Sequence, residues 1–346
     1  MHKNKVVFVD HSYHKKTHSG DFLRDALRLK FDLIDLWDDK WGSSMELVVE
    51  KINSFNADFV VFFQSILSKN ELIQINAPVI WVPMYDAIVN MPSYKLHELS
   101  TIPIKIISFS KNLTKKFRLI GFDVFEAQYY HDPTSYIQTK DYSSIGVFLW
   151  QRQNLITYST LLDLLKNNEI KRIILRINPD PGYKMVFPIS QEIKKHNITI
   201  VKGHISRDKY ISLLDECNVY IAPRKIEGIG HSFLEAMAKG MIVVAYNQPT
   251  MNEYIVNGVN GFLFSDKQNI IFDKERLGKI GKNARETSRV GFFDWVKNVP
   301  KMCDYISEEK KFSKPKLTKA IKIKYLYIVF RIKSVIFNIL SKKLWG

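Results

Sequence analysis

Tyr220 to Phe264 reads YIAPRKIEGIGHSFLEAMAKGMIVVAYNQPTMNEYIVNGVNGFLF, and the order of its parts decides the fold. Residues 219–222 are a short apolar run of the length expected for a buried strand. A loop with Gly228 and Gly230 follows, and the spacing predicts a helix over 232–238. Residues 242–246 (IVVAY) are a second strand, and Gly258 and Gly261 turn the chain before a third at 262–264. Strand, loop, helix and strand in this order form a βαβ unit, whose strands lie parallel. Glycines beside a helix start let backbone N–H groups approach a ligand closely, and the helix N-terminus favours an anion.

The same alternation extends upstream. Strands are predicted at 144–149, 172–177 and 198–202, with helices at 156–166 and 207–216. The segment HDPTSYIQTKDY, ending at Tyr142, breaks the pattern and reads as a connection. Before it a first series runs through strands at 5–10, 31–36, 59–64, 79–82 and 104–109, with helices at 20–29, 45–55 and 111–119. Two βαβ series predict two Rossmann-like domains facing each other, with ligands beyond the carboxyl ends of the strands. The expected division is 1–130, a linker at 131–142, 143–285, a late helix at 286–310 that includes Trp295, and a tail at 311–346.

A chain of 346 residues accommodates two such domains. Its net charge is +16, and from Lys310 onward there are eleven basic residues and no acid. The excess therefore belongs to the tail, which attracts polyanions. Two cysteines, Cys217 and Cys303, form no CxxC pair and no disulfide framework. The apolar run at 6–9 is too short for a signal peptide, and no stretch is long enough to span a bilayer. A cytoplasmic location is expected. No zinc-finger spacing and no RNA-binding aromatic signature is present, which speaks against nucleic acid as a partner.

Glu227 and Glu235 have seven residues between them, around a glycine-containing loop, and Glu235 opens E-A-M-A-K-G. With the strand IVVAY, Glu253 and the Asn257–Gly261 turn (NGVNG), the stretch resembles the signature of the family-4 retaining glycosyltransferases. The resemblance is specific in the second domain and architectural in the first. It implies the GT-B fold, a nucleotide diphosphate sugar as donor and retention of anomeric configuration. It also implies roles for particular residues. Glu227 would bind the hydroxyls of the donor sugar, and Glu235 the ribose hydroxyls. Gly228, Ile229, Gly230, His231 and Ser232 would line sugar and diphosphate with backbone amides, and Thr250 and Met251 would approach phosphate. Arg152 matches the family's diphosphate-binding arginine. The lysine that accompanies it is missing, because its position falls at about Thr157. Arg224 or Lys225 is the expected substitute.

A carboxylate suits adjacent hydroxyls because both of its oxygens accept. Fixed cations and amide donors at the diphosphate would stabilise the departing charge, and no cofactor or metal is expected: Asp38-Asp39 is not a DxD motif, and Asp180 in NPDPG reads as a turn. Glu235 also has a local reading, since Ser232-x-x-Glu235 has the spacing of a capping box. In the first domain, His11, His14, His18 and Gly20 follow the first strand and are candidates for the acceptor side. The pair His14 and His18 lacks the glutamate of HExxH, and two lysines lie between them. Asp86 follows another strand and either faces the acceptor or opens a loop. His131 reads as a solvated linker residue.

In the tail, Ile321, Tyr325, Ile328, Ile332, Val335, Ile336 and Ile339 fall near one helical face, with basic residues largely elsewhere. This predicts a basic amphipathic C-terminal helix lying on an anionic membrane surface. The expected partners are thus a nucleotide sugar, a lipid-linked saccharide acceptor and the inner face of the cytoplasmic membrane. Other readings remain at this stage: a nucleotide-sugar epimerase or hydrolase of the same fold, and a non-catalytic polyanion-binding protein.

Overall fold

The computed structural model describes residues 3–39, 49–136, 140–180, 182–266 and 268–308, together with Tyr325, Leu326, Ile328, Val329 and Ile332 of the tail. The chain forms two compact units, Met1–Ala127 with Asn298–Gly346, and Gln128–Lys297.

The first unit runs β1 (Lys5–His11), α1 (His14–Thr17), α2 (Asp21–Arg28), β2 (Asp32–Asp38), α3 (Val49–Ser54), β3 (Phe59–Phe63), α4 (Lys69–Leu72) and β4 (Val79–Val82). It continues with α5 (Tyr85–Ile88), α6 (Ser93–Leu99), β5 (Ile104–Ser108), α7 (Lys111–Ile120) and β6 (Asp123–Glu126). All pairings are parallel, in the order β2-β1-β3-β4-β5-β6. The inner strands β3 and β4, and β1 over Val6–Val9, are apolar on both faces, as a sheet covered on both sides requires, while the edge strands β2 and β6 are mixed. Val7, Val9, Val60, Phe62, Trp81 and Ile106 supply one core from alternate positions.

The second unit contains β7 (Ile145–Gln151), α8 (Tyr158–Leu165), β8 (Ile170–Ile177), α9 (Ser190–Lys195), β9 (Ile198–Lys202), α10 (Arg207–Asp215) and β10 (Val219–Ile221). It ends with α11 (His231–Ala238), β11 (Ile242–Tyr246), α12 (Met251–Tyr254), β12 (Phe262–Phe264) and most of α13 (Lys274–Ser307). Its parallel sheet has the order β12-β11-β10-β7-β8-β9. The chain starts in the middle with β7 and winds to one side through β8 and β9. It then returns to β10 on the other side of β7. The crevice outside the carboxyl ends of β7 and β10 is the topological switch point, where open α/β sheets bind ligands.

The long apolar elements lie where the periodicity puts them. Those absent from the sequence reading are short (α1, α4, α5, α6, α12), lie on the surface (α9), or carry mixed residues (β6). Helix 45–55 is observed from Val49, and residues 40–48 lie outside the described residues. The segment expected as a free connection folds onto the second unit. There Tyr142 donates from its hydroxyl to Gly240 O at 2.6 Å, and Lys140 Nζ donates to Leu214 O and Cys217 O at 2.6 and 2.8 Å. Among the described residues no helix is long and apolar enough to cross a membrane. The amphipathic tail helix lies almost wholly outside the described residues. Its five described residues are helical, and Tyr325, Ile328 and Ile332 are more than half exposed.

Candidate active site

Two loops at the switch point of the second unit carry the candidate side chains. The loop after β7 holds Arg152, and the loop after β10 holds Arg224, Lys225 and Glu227. The latter enters α11 through Gly230, whose φ of +80° is left-handed and whose absent Cβ would lie 2.0 Å from the Phe233 ring. Only glycine meets both conditions. Gly228, Ile229, Gly230, His231 and Ser232 therefore form a tight turn into the helix N-terminus. Thr250 lies under this turn, fully buried, and donates from its hydroxyl to Ile229 O at 3.4 Å. Glu227 N donates to Pro249 O at 3.2 Å, which draws the two loops together, and Met251 is buried beside them.

The two signature glutamates are both buried, at 6% exposure for Glu227 and 3% for Glu235. The capping-box reading of Glu235 is not what forms. The helix is capped by Gly230, so Ser232 is already inside it, and no side chain bonds the cap. The Glu235 carboxylate turns instead to Arg207, which donates from Nη1 at 2.9 Å and from Nη2, and to the Tyr136 hydroxyl at 3.1 Å. Burial, together with the Glu235 charge, pushes the Tyr136 phenol well above its usual range. Arg207 opens α10 after the Ser206 cap, and neither it nor Tyr136 carries a sequence motif.

Asp180, expected as a turn residue, is the centre of a charge cluster. It accepts from Arg152 Nε at 2.9 Å and Nη2 at 2.8 Å, from Arg224 Nη2 at 2.5 Å and from Gln153 Nε2 at 3.1 Å. Burial works to raise the Asp180 carboxyl, but Arg152 and Arg224 outweigh it and hold it below the usual carboxylate range. Arg224 Nη1 lies 3.6 Å from Glu227 Oε2. A third guanidinium, Arg176 at the end of β8, is buried and stacked 3.9 Å from the Trp150 ring centre. Lys225 is not part of this cluster, since its ammonium pairs with Asp266 at 2.7 Å. Thr157, at the position of the missing lysine, is the N-cap of α8 and accepts from Thr160 N at 3.3 Å. Its residue type thus answers to a helix start.

His131 is half-buried, contrary to its reading as a solvated linker residue. Its ring meets Tyr129 at 5.2 Å and His231 at 5.6 Å between centroids. Burial, and then the Arg207 charge, push its pKa down to about 4, only partly offset by a backbone hydrogen bond with His231.

In the first unit, His11 and His14 stand at the carboxyl end of β1, which is that sheet's own switch point between β1 and β3. His14 is buried, with Nδ1 2.6 Å from Asp10 Oδ1. Asp10 also accepts from Arg24 Nη2 at 2.6 Å, and Arg24 stacks between Phe8 and Trp37 at 4.5 and 4.3 Å. The His11 ring accepts from Tyr13 N at 3.0 Å through Nδ1. His18 is exposed and pairs with Asp21 at 2.7 Å. A Cβ on Gly20 would lie 2.6 Å from Arg24 Nη1, so this glycine makes room for the Arg24 guanidinium as it stands. Asp86 sits in the first turn of α5 and accepts from Ala87 N at 3.0 Å, so it opens a short helix in place of a loop. Asp10 and Arg24 organise this region, and the sequence reading missed both.

Residues 140–287 match the family model described as glycosyl transferases group 1. An uncharacterised glycosyltransferase of Methanocaldococcus jannaschii is 27% identical over 128 residues, which cover 34% of this chain and 36% of the relative. The match thus spans about a third of that relative. Among solved structures, Anabaena HepE in complex with UDP and glucose is similar with a TM-score of 0.61 at 17% identity, over 88% of this chain and 99% of that one. The lipopolysaccharide outer core galactosyltransferase WaaB, in its apo form, gives a TM-score of 0.57 at 11% identity, over 86% of this chain and 99% of that one. The chain has the two-sheet GT-B fold, and the match to the group 1 glycosyltransferase model lies within its second unit.

Proposed function

We propose that the protein is a retaining glycosyltransferase of the family-4 type, which moves a sugar from a nucleotide diphosphate sugar to a lipid-linked saccharide. One observation carries the reading: two buried glutamates flank a glycine turn at the sheet's switch point, with an arginine pair beside them. Glu227 accepts from hydroxyls of the donor sugar. Glu235 accepts from the ribose hydroxyls and exchanges bonds to Arg207 or Tyr136 for them. The diphosphate lies at the N-terminus of α11, against Arg152 and Arg224, where orphan N–H groups, the helix dipole and the guanidiniums all favour negative charge.

In the reaction the bond between the anomeric carbon and the phosphate oxygen breaks, and the acceptor hydroxyl bonds to that carbon on the same face. The hydroxyl's proton leaves with the nucleoside diphosphate. Charge grows on the diphosphate oxygens during the step, so fixed cations there lower the barrier. A UDP-sugar donor is supported by the ligands of HepE, and a lipopolysaccharide-type acceptor by the activity named for WaaB; a part in surface polysaccharide such as O-antigen or capsule belongs to this proposal. His11 and the Asp10–His14 pair are the acceptor-side candidates, together with His18, Gly20 and Asp86. The basic tail holds the enzyme at the inner face of the cytoplasmic membrane. Its support is eleven uncompensated basic residues and the exposed apolar side chains of Tyr325, Ile328 and Ile332.

The test is titration of the purified protein with UDP, GDP, ADP and TDP, with Glu235→Ala alongside. One preferred base, with affinity lost in the variant, supports the reading. A folded protein that binds none of the four ends it.

A further inference from the structure

The family-4 resemblance leads one to expect a lysine at about position 157, and Thr157 cannot serve in its place, because its hydroxyl caps α8. The structure places a second arginine at the clamp instead. Arg152 comes from the loop after β7 and Arg224 from the loop after β10, and both reach the carboxylate of Asp180 from the loop after β8. Three loops thus converge on one side chain. The convergence is not what the arginines would do alone. Their side chains are only 23% and 20% exposed, and two guanidiniums brought together away from water repel each other.

The bonding around Asp180 is that of a fixed support. Its backbone N donates to Arg152 O at 3.0 Å, so main chain and side chain both tie the β7 and β8 loops. Gln153 Nε2 adds a neutral donor at 3.1 Å, and Trp150 Nε1 donates to Asn178 O at 3.2 Å two residues before Asp180. The Asp180 side chain is itself 13% exposed. Arg152 spends Nε and Nη2 on it, and an arginine has five N–H donors, so the fork still presents N–H groups to a second anion.

We propose that Asp180 is a positioning residue of the donor site: it holds Arg152 and Arg224 as one diphosphate clamp and so makes up for the missing lysine. The inference rests on the donor-site reading above and deepens it. The opposite arrangement, with Asp180 as a plug that the diphosphate must displace, makes the reverse prediction.

The experiment compares wild type with Asp180→Asn and Asp180→Glu. Dissociation constants are measured by calorimetry for the preferred nucleoside diphosphate and for the corresponding nucleoside without phosphates. Loss of a charge-assisted hydrogen bond predicts that Asp180→Asn weakens the diphosphate by about 10- to 100-fold. Nucleoside binding stays at the wild-type value, which general damage to the unit would not allow, and Asp180→Glu recovers part of the loss. Diphosphate binding that is unchanged or tighter in Asp180→Asn overturns the proposal and leaves the donor site intact. A wild type that binds no nucleotide overturns the donor-site reading and with it the clamp. A crystal structure of unliganded Asp180→Asn gives a readout without a ligand. The guanidiniums of Arg152 and Arg224 are expected to separate, and their staying together overturns the support role.

Discussion

Glu235 is satisfied twice over before any substrate arrives, by the fork of Arg207 and by the hydroxyl of Tyr136. A buried carboxylate needs such partners, because an unpaired charge away from water costs several kcal/mol. On the proposed function, the pairing holds these acceptor oxygens in place for the ribose hydroxyls. Glu235→Gln is expected to weaken nucleoside diphosphate binding by roughly 10- to 100-fold, read by titration, since a charge-assisted acceptor is lost. Glu227 has the other role. Its carboxylate lies beside Arg224. Glu227→Gln is therefore expected to keep nucleotide affinity within about threefold and to lower kcat on the order of 100-fold, measured with a sugar donor. An equal loss of nucleotide affinity in both variants would contradict this division of roles.

At the scale of elements, the site depends on how helices begin. Helix α11 starts from a left-handed glycine, α8 from Thr157 and α10 from Ser206. Gly230→Ala puts an L-residue at φ +80° and drives a methyl group into the Phe233 ring. The backbone strain alone is about 1–2 kcal/mol. The expected result is a lower melting temperature together with weakened diphosphate binding, because the turn that presents the amides moves. Thr157→Ala removes only a cap, about 1 kcal/mol. It should lower the melting temperature by a few degrees and leave diphosphate affinity as it was. A large loss of affinity in Thr157→Ala would mean that this residue acts on phosphate after all.

For the whole molecule, pH and the tail provide the tests. His131 in the folded protein has its pKa pushed down to about 4, below its unfolded value near 6.5. Above pH 6.5 both states are neutral at this residue, and the folded state carries no penalty from it. As pH falls from 6.5 toward 4 the unfolded chain takes up a proton that the folded one refuses, so stability is lost across that window. The full effect is about 3 kcal/mol. His131→Gln should flatten the decline of melting temperature between pH 6.5 and 4, and an unaltered slope would place the proton uptake elsewhere. Removal of residues 311–346 takes away ten basic residues and no acid. Binding to vesicles with anionic lipid should fall steeply, and wild-type binding should weaken with salt, while nucleotide affinity is unchanged.

What the sequence determined by itself is whatever depends on local order along the chain. Alternating apolar runs and amphipathic stretches gave the two βαβ series, and the spacing from Glu227 to Glu235 marked the loop proposed as the donor site. Such signals are local because strand and helix periodicities are properties of neighbouring residues. The partners of the site residues were not legible. Asp180 lies in a turn-rich NPDPG, Arg207 at an ordinary helix start, Tyr136 and His131 in an apparent connection, and Asp10 in a first strand. Each becomes functional in character only when loops from different strands end at the same place. Burial then makes an unpaired charge expensive and selects its partner across many residues of chain. That selection follows from strand order, with β10 beside β7, and tertiary structure alone decided it.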